Sequence, residues 1–491
     1  MRMHHRSLYT FLMSIPILLF VGSSSLDAQV MSRRMSDPLE VRGQAYYTEV
    51  LGQNRHGTYT RKYPQDEGTQ FSILYRYDGS MRVRNERELD MRKDRTLLHT
   101  GMLNQTLFVV NSTYSPQSDL ITVTARFLTP GLQDSTQNIF LFELEGSERY
   151  GPIRVAESQD ESGLAFCIHQ RLDTPQLHYF LFDAALQPVA NHRSQLPETP
   201  AFELVDFSYR APREGVATIK PKRGKDRDAR QQLVINDFHT EKSLQYKLYK
   251  DSLYIAQPEL CWHPGDSSFL LIGLYRQQGK DVYQGVFWEQ VHAFRDSMSG
   301  RFVPFPDDLQ EDINGVLSTL TGIRNLRLRE AIPTADEHLV VVAEQVSVSS
   351  QTVSDFNVYN TAQSYTRYYY NFMDVITMSI SPSNQLRWYN VLKKDQTSVN
   401  DAGYYSSIAS FIYPNQIQFY YNDLYRKRSN LMKYVIYPNG RTDSEIVIRG
   451  AEFGGRFIPK EARQVSAYDL VMPAYDQKEG AYLMEIHHQP E

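Results

Sequence analysis

The sequence is short of cysteine, of tryptophan, of any excess of one charge and of long apolar runs, and each shortage removes a class of protein. Two cysteines among 491 residues cannot build a disulfide framework, and no C-x-x-C pair or Cys/His cluster offers a zinc site. Cys167 lies in an alternating apolar stretch and Cys261 beside Trp262, so both read as small buried hydrophobes. Lysine and arginine number 52 against 57 aspartates and glutamates, a formal charge of -5 that excludes the basic footprint of a nucleic-acid binder. At 41% hydrophobic residues the chain is too apolar to be disordered. The common local signatures are also missing: no G-x-S-x-G, H-E-x-x-H, G-x-x-x-x-G-K-[ST] or EF-hand loop occurs, so no metal or cofactor is expected.

The apolar run Phe11–Val21, interrupted by Pro16, is too short to cross about 30 Å of hydrocarbon. Arg2 and Arg6 precede it and the small, polar Ser23–Gln29 follows, which predicts a secretory signal over residues 1–29 with cleavage after Ala28 or Gln29. The expectation is an exported chain of residues 30–491, periplasmic or secreted, with no transmembrane segment once matured.

What the sequence has in quantity is tyrosine, 33 of them, distributed among short runs rich in Val, Ile, Phe, Tyr and Leu. These runs are bounded by Gly, Pro, Asn, Asp and Ser, and helical periodicity is scarce, so the chain reads as all-β. In Gly163–Gln170, Leu164, Phe166 and Ile168 share one face and Ala165, Cys167 and His169 the other. Hairpin-like groups begin near Phe71, Leu107, Leu164, Leu233, Phe269, Leu339, Ile417 and Tyr468, a mean spacing of about 57 residues. That predicts a β-propeller of seven or eight four-stranded blades. One helix stands outside the pattern: Asp307-Asp308 would cap a segment whose Leu309, Ile313, Val316, Leu317 and Leu320 recur at helical spacing. The basic run Lys220–Arg230 reads as a solvated hairpin tip, the scattered single histidines as surface or satisfied core residues, and His487-His488 as a frayed end.

The stretch Pro258-Glu259-Leu260-Cys261-Trp262-His263-Pro264-Gly265-Asp266 resembles the blade opening of TolB-like and WD40-like β-propellers, with His263 where serine is usual and Gly265-Asp266 in swapped order. Trp262 would then wedge between blades, and the turn after it would feed a buried strand. More broadly the chain resembles secreted, repeat-bearing propellers of Gram-negative bacteria, a resemblance that implies a fold and carries no activity with it.

Two segments offer candidate binding residues. Tyr365, Tyr368, Tyr369 and Tyr370 crowd together after a polar loop, and a tyrosine's flat apolar face with a polar tip suits sugar stacking or a protein interface. The loop between Leu392 and Ile408 is expected at one end of the propeller channel, where it would present Lys394, Gln396, Asn400 and Asp401. Without a local catalytic motif, the expected role is a non-catalytic binding or scaffolding module for an envelope or extracellular protein or glycan. The rival is a propeller enzyme, a lyase, glycosidase or peptidase, with its site assembled at the channel mouth from several blades. Converging carboxylates, or a carboxylate with His or Tyr, would mark that rival.

Overall fold

Thirty-five strands among the described residues leave the chain no single core to share, and the computed structural model resolves how they bury their apolar faces. It describes residues 31–488 apart from 40–45, 65–71, 90–93, 136, 172–173, 197–201, 222–230, 251, 263–267, 278–279, 293–299, 316–317, 319, 335, 357–361 and 426–427. The strands form eight antiparallel sheets, the blades of a propeller. The first strands of blades 1 to 7 are Tyr46–Asn54, Arg95–Leu103, Tyr150–Glu157, Phe202–Arg210, Leu253–Trp262, Leu326–Pro333 and Ala409–Tyr413. Blade 8 opens with two short strands, Arg456–Phe457 and Arg463–Gln464. First strands touch one another around the axis between blades 1 and 2, 2 and 3, 3 and 4, 5 and 6, and 7 and 8, and Tyr46–Asn54 meets Asp469–Asp476 of blade 8, closing the ring.

The core is divided among the eight interfaces between blades. Gly163–Gln170 is buried along its whole length because it serves two of them. Leu164, Phe166 and Ile168 enter the cluster shared with blade 2, while Ala165 and Cys167 enter the one shared with blade 4. Strands apolar on both faces are therefore the middle strands of blades.

Blade 8 takes its outermost strand from the other end of the chain. Met31–Met35 pairs with Gly480–His488 in continuous register from Met31 opposite His488 to Met35 opposite Met484. Ser36 extends the closure, its N–H donating to Leu483 O and its Oγ accepting from Leu483 N, each at 2.9 Å. Arg33 donates to Val447 O of blade 7 and Arg34 to Gly79 O of blade 1, so this one strand fastens three blades.

Four expectations are revised or sharpened. There are eight blades. The groups expected to begin near Leu107, Leu164, Phe269, Leu339 and Ile417 start on second strands, one strand late, and the one near Leu233 starts on a third. The helix covers only Asp307–Asn314, with Pro306 rather than an aspartate at its N-cap. It ends because Gly315 takes a φ of 86°, leaving Leu320 outside it, and Leu309 anchors it in the core between blades 5 and 6. His487-His488 is no frayed end: both belong to Gly480–His488, and His488 is fully buried against Phe411. Cys167 and Cys261 are buried and unbridged. The signal segment, the basic residues 222–230, the turn 263–267 and the side chain of Trp262 lie outside the described residues.

Candidate functional site

The second and third strands of blade 6, Leu339–Phe356 and Ala362–Ile380, run far past the blade as a two-stranded arm. Beyond the bulge between Glu344 and Val346, the register continues from Val346 opposite Phe372 to Phe356 opposite Ala362, an extension of about 35 Å at the usual rise per residue. Strand alternation sorts its side chains. Tyr365, Arg367 and Tyr369 share one face with Val399, while Tyr368 and Tyr370 share the other with Val348. Tyr365 and Tyr368 are 39% and 47% exposed. Arg367 stacks on the Tyr365 ring and donates to its hydroxyl at 2.6 Å, and the Tyr369 hydroxyl donates to Gln351 Oε1 at 3.3 Å. Tyr370, near the base, is buried with Val346, Phe372 and Ala402.

The connection from blade 6 to blade 7 seats this arm. Its strand Gln396–Val399 pairs with Tyr369–Phe372. Asn400 and Asp401 make the turn that follows: Asn400 Oδ1 accepts from Tyr368 N at 2.9 Å, and Asp401 Oδ1 accepts from Gly403 N at 2.8 Å and from Ser398 Oγ at 2.5 Å. Gly403 has a φ of +67°, and a Cβ there would sit 2.2 Å from the Phe372 ring, so only glycine fits. Lys394 and Gln396 turn inward. Lys394 Nζ lies 2.6 Å from Glu344 Oε1, with Lys394 and Glu344 side chains 2% and 0% exposed. Arg329 Nε donates to Glu344 Oε2 at 2.7 Å, and Ser407 Oγ donates to the same oxygen at 2.7 Å. Burial alone would push the Glu344 carboxyl up, but Arg329 and Lys394 outweigh it and hold it below its usual range. Gln396 links the cluster to blade 7, its Nε2 donating to Asn422 O at 2.8 Å and its Oε1 accepting from Ser407 N at 2.8 Å.

The same connection carries Tyr404 and Tyr405 against blades 1 and 8. Tyr404 packs edge-on to Tyr47 at 4.9 Å and to Tyr405 at 5.1 Å, and Tyr47 meets Tyr63 at 5.5 Å. Each of three rings carries a cation: Arg61 over Tyr63, Lys460 over Tyr404 and Arg456 over Tyr405. Lys460 also donates to Ala402 O at 3.3 Å. Burial raises the Tyr47 hydroxyl, and the carboxylates of Glu461 and Asp401 raise it further. Blades 1 and 8 and the connection between blades 6 and 7 thus meet in one patch of tyrosine, carboxylate and cation.

Deeper in the channel, the first strands of blades 1 to 6 all carry a register shift against their second strands. In four of them the residue resuming the ladder after the bulge is titratable: His99, Asp206, Glu259 and Glu330. A bulge re-aims the side chains beside it, and here it sets polar groups on otherwise apolar blades. His99 Nε2 pairs with Glu157 of blade 3. Among the described residues no group of three His, Cys, Asp or Glu is placed to hold a metal ion.

Of the residues singled out by sequence, Tyr365, Tyr368 and Tyr369 stand on the arm, Asn400 and Asp401 turn the chain at its base, Tyr370 packs under it, and Lys394 and Gln396 are buried in its seat. Sequence reasoning missed Tyr47, Tyr63, Arg329, Glu344, Lys460, Glu461, Glu259 and Glu330. Glu344 carried a usable signal, a carboxylate placed directly after the apolar run Leu339–Ala343. No local signal unites residues of blades 1 and 8.

No protein-family model and no curated protein matches the sequence. Solved structures similar to it include the β-propeller domain of Nup133 from Vanderwaltozyma polyspora, at 12% identity and a TM-score of 0.40 over 81% of this chain and 100% of that one. The polysaccharide lyase Uly1 aligns at 8% identity and a TM-score of 0.42 over 92% of both chains. The β-propeller domain of the Trilobed protease from Pyrococcus furiosus aligns at 9% identity and 0.34, over 82% of this chain and 95% of that one.

Proposed function

We propose that this chain is an exported propeller of TolB-like or WD40-like type, acting as a non-catalytic binding or scaffolding module in the cell envelope or the medium, and that it engages a protein or glycan through the arm of blade 6. The observation that supports this reading is the arm itself: a ribbon seated on the connection to blade 7 and exposing Tyr365 on one face and Tyr368 and Val348 on the other. A soluble protein gains nothing in stability from apolar surface left in water, so a projecting ribbon with such side chains on both faces marks an interaction site. The test is cross-linking of the tagged mature protein in its own cells, with partners identified by mass spectrometry. A stoichiometric envelope partner or glycan is expected, and changing both Tyr365 and Tyr368 to Ser should release it without unfolding the bait. Retention of every partner by that variant would refute the arm as the interface.

A second reading, an enzyme acting on an envelope or extracellular polymer with its site at the channel mouth, draws support from the meeting of blades 1 and 8, where Tyr47 packs on Tyr404 and both lie under the influence of Glu461. Turnover of a polysaccharide or peptide that is lost in Tyr47→Phe and kept in the Tyr365/Tyr368 variant would establish it over the first.

A further inference from the structure

Blades set radially splay apart toward their outer strands, and between blades 7 and 8 the gap is a cavity of about 230 Å³. Its apolar lining is Met35 and its ladder partner Met484 on blade 8, Ile448 at the end of blade 7's last strand, and Phe453 from the turn joining the two blades. Met484 and Ile448 are buried, and Met35 is 37% exposed. Two charged side chains, Arg33 and Glu452, complete the site. One guanidinium nitrogen of Arg33 reaches across to donate to Val447 O of blade 7, and its other donors have no partner among the described residues. The adjoining Arg34 goes the other way, to Gly79 O of blade 1. Glu452 and Phe453 stand on a fixed turn: their N–H groups donate to Arg449 O at 2.8 and 3.3 Å, and Gly450 N donates to Asn430 Oδ1 at 2.9 Å. Phe453 also packs edge-on to Tyr482 at 5.3 Å. The Glu452 side chain is exposed and makes no ion pair with Arg33 or any other described cation. Opposite charges not spent on each other thus border one apolar cavity.

We propose that this cavity binds a free α-amino acid with an apolar side chain, of the size of leucine or methionine. Its carboxylate takes the free donors of Arg33, its ammonium pairs with Glu452, and its side chain lies on Met35, Ile448, Phe453 and Met484. Charge complementarity selects the zwitterion, since a fatty acid leaves Glu452 unmatched and an amine leaves Arg33 unmatched. At about 30 Å³ per water-sized volume, 230 Å³ holds about eight to ten non-hydrogen atoms, the whole of such an amino acid. The bound ligand also bridges the N-terminal strand to the turn after blade 7, so it braces the seam of the ring.

Titration calorimetry and thermal unfolding of the full mature protein test this with L-leucine and L-methionine, beside N-acetyl-leucine, leucine amide and glycine. The expected result is one-to-one binding of leucine or methionine with a Kd below about 1 mM, and a melting midpoint that rises with ligand concentration. Lacking in turn the ammonium, the carboxylate and the side chain, the other three compounds should each bind about tenfold more weakly or worse. Glu452→Gln, an exposed change that leaves the turn's backbone bonds in place, should weaken leucine to the level of N-acetyl-leucine. Arg33→Gln, checked for folding by circular dichroism, should weaken it to the level of leucine amide. No saturable binding of leucine or methionine to folded wild-type protein up to about 10 mM, wild-type affinity for N-acetyl-leucine equal to that for leucine, or full leucine binding by Glu452→Gln would each overturn the assignment. The arm plays no part in this site, so the Tyr365/Tyr368 variant should bind leucine normally.

Discussion

Glu344 occupies a strand whose neighbours are valine and alanine, and its ionised state depends on two cations from different elements. Removing one partner of a buried ion pair strands the other charge, at a cost of about 3 kcal/mol or more. Lys394→Met should therefore lower the unfolding free energy from urea titration by that amount, and adding Glu344→Gln should restore only part of it, because the buried carboxylate is gone but Arg329 then loses its acceptor. Histidines give a pH dependence of definite sign. Burial lowers His178 and His488 to about 4, against about 6.5 in the unfolded chain. The unfolded state thus binds protons that the folded state refuses, so stability is full above about pH 6.5 and falls as pH drops from there to about 4, by about 3 kcal/mol for each histidine. Glu259 and Glu330 act oppositely, losing stability as pH rises from about 4.5 toward about 8. Unfolding midpoints measured across this range should peak at mildly acidic pH in wild type, and His488→Gln should flatten the acid side. Among these residues only the burial of Cys167 and Cys261 was legible in sequence. A histidine's fate depends on what faces it: His488 donates to Tyr420, a residue of another blade whose hydroxyl is spent on Gln418, and no spacing rule connects them.

The arm illustrates how an element can be legible in composition and illegible in form. Its tyrosines drew notice as a cluster, but a run of alternating β-formers does not reveal whether its strands stay inside a blade or leave it. Blade phase was misread for a related reason. Second strands are apolar on both faces and announce themselves, whereas first strands turn bulges and charges to the channel and read as weaker strands. Because no described residue of the distal arm enters the cores between blades, replacing residues 349–369 by Asn-Gly, so that Val348 and its partner Tyr370 are joined by a tight turn, should leave the unfolding free energy within about 1 kcal/mol of wild type while abolishing partner capture. A large loss of stability in that shortened chain would show the arm to be part of the fold's support rather than an appendage.

At the scale of the molecule, the repeat and its architecture could be read from sequence, while the closure could not, since it joins segments from opposite ends of the chain. Deleting residues 31–36 would expose the edge of Gly480–His488 and release the contacts to blades 7 and 1. The expected outcome is a lower melting midpoint together with concentration-dependent association by light scattering, because an unpaired edge strand recruits another. A monomer of unchanged melting temperature would show that the ring closes without its clasp. The geometry of that clasp also sets how the molecule bears load. Met31 lies opposite His488, so the chain enters and leaves the seam at the same corner, and tension applied through those two points peels the ladder one pair at a time instead of shearing it all at once. A tether at either end would make the seam a weak mechanical fuse, whereas a pull on the arm runs lengthwise into two of blade 6's strands, where every rung resists together.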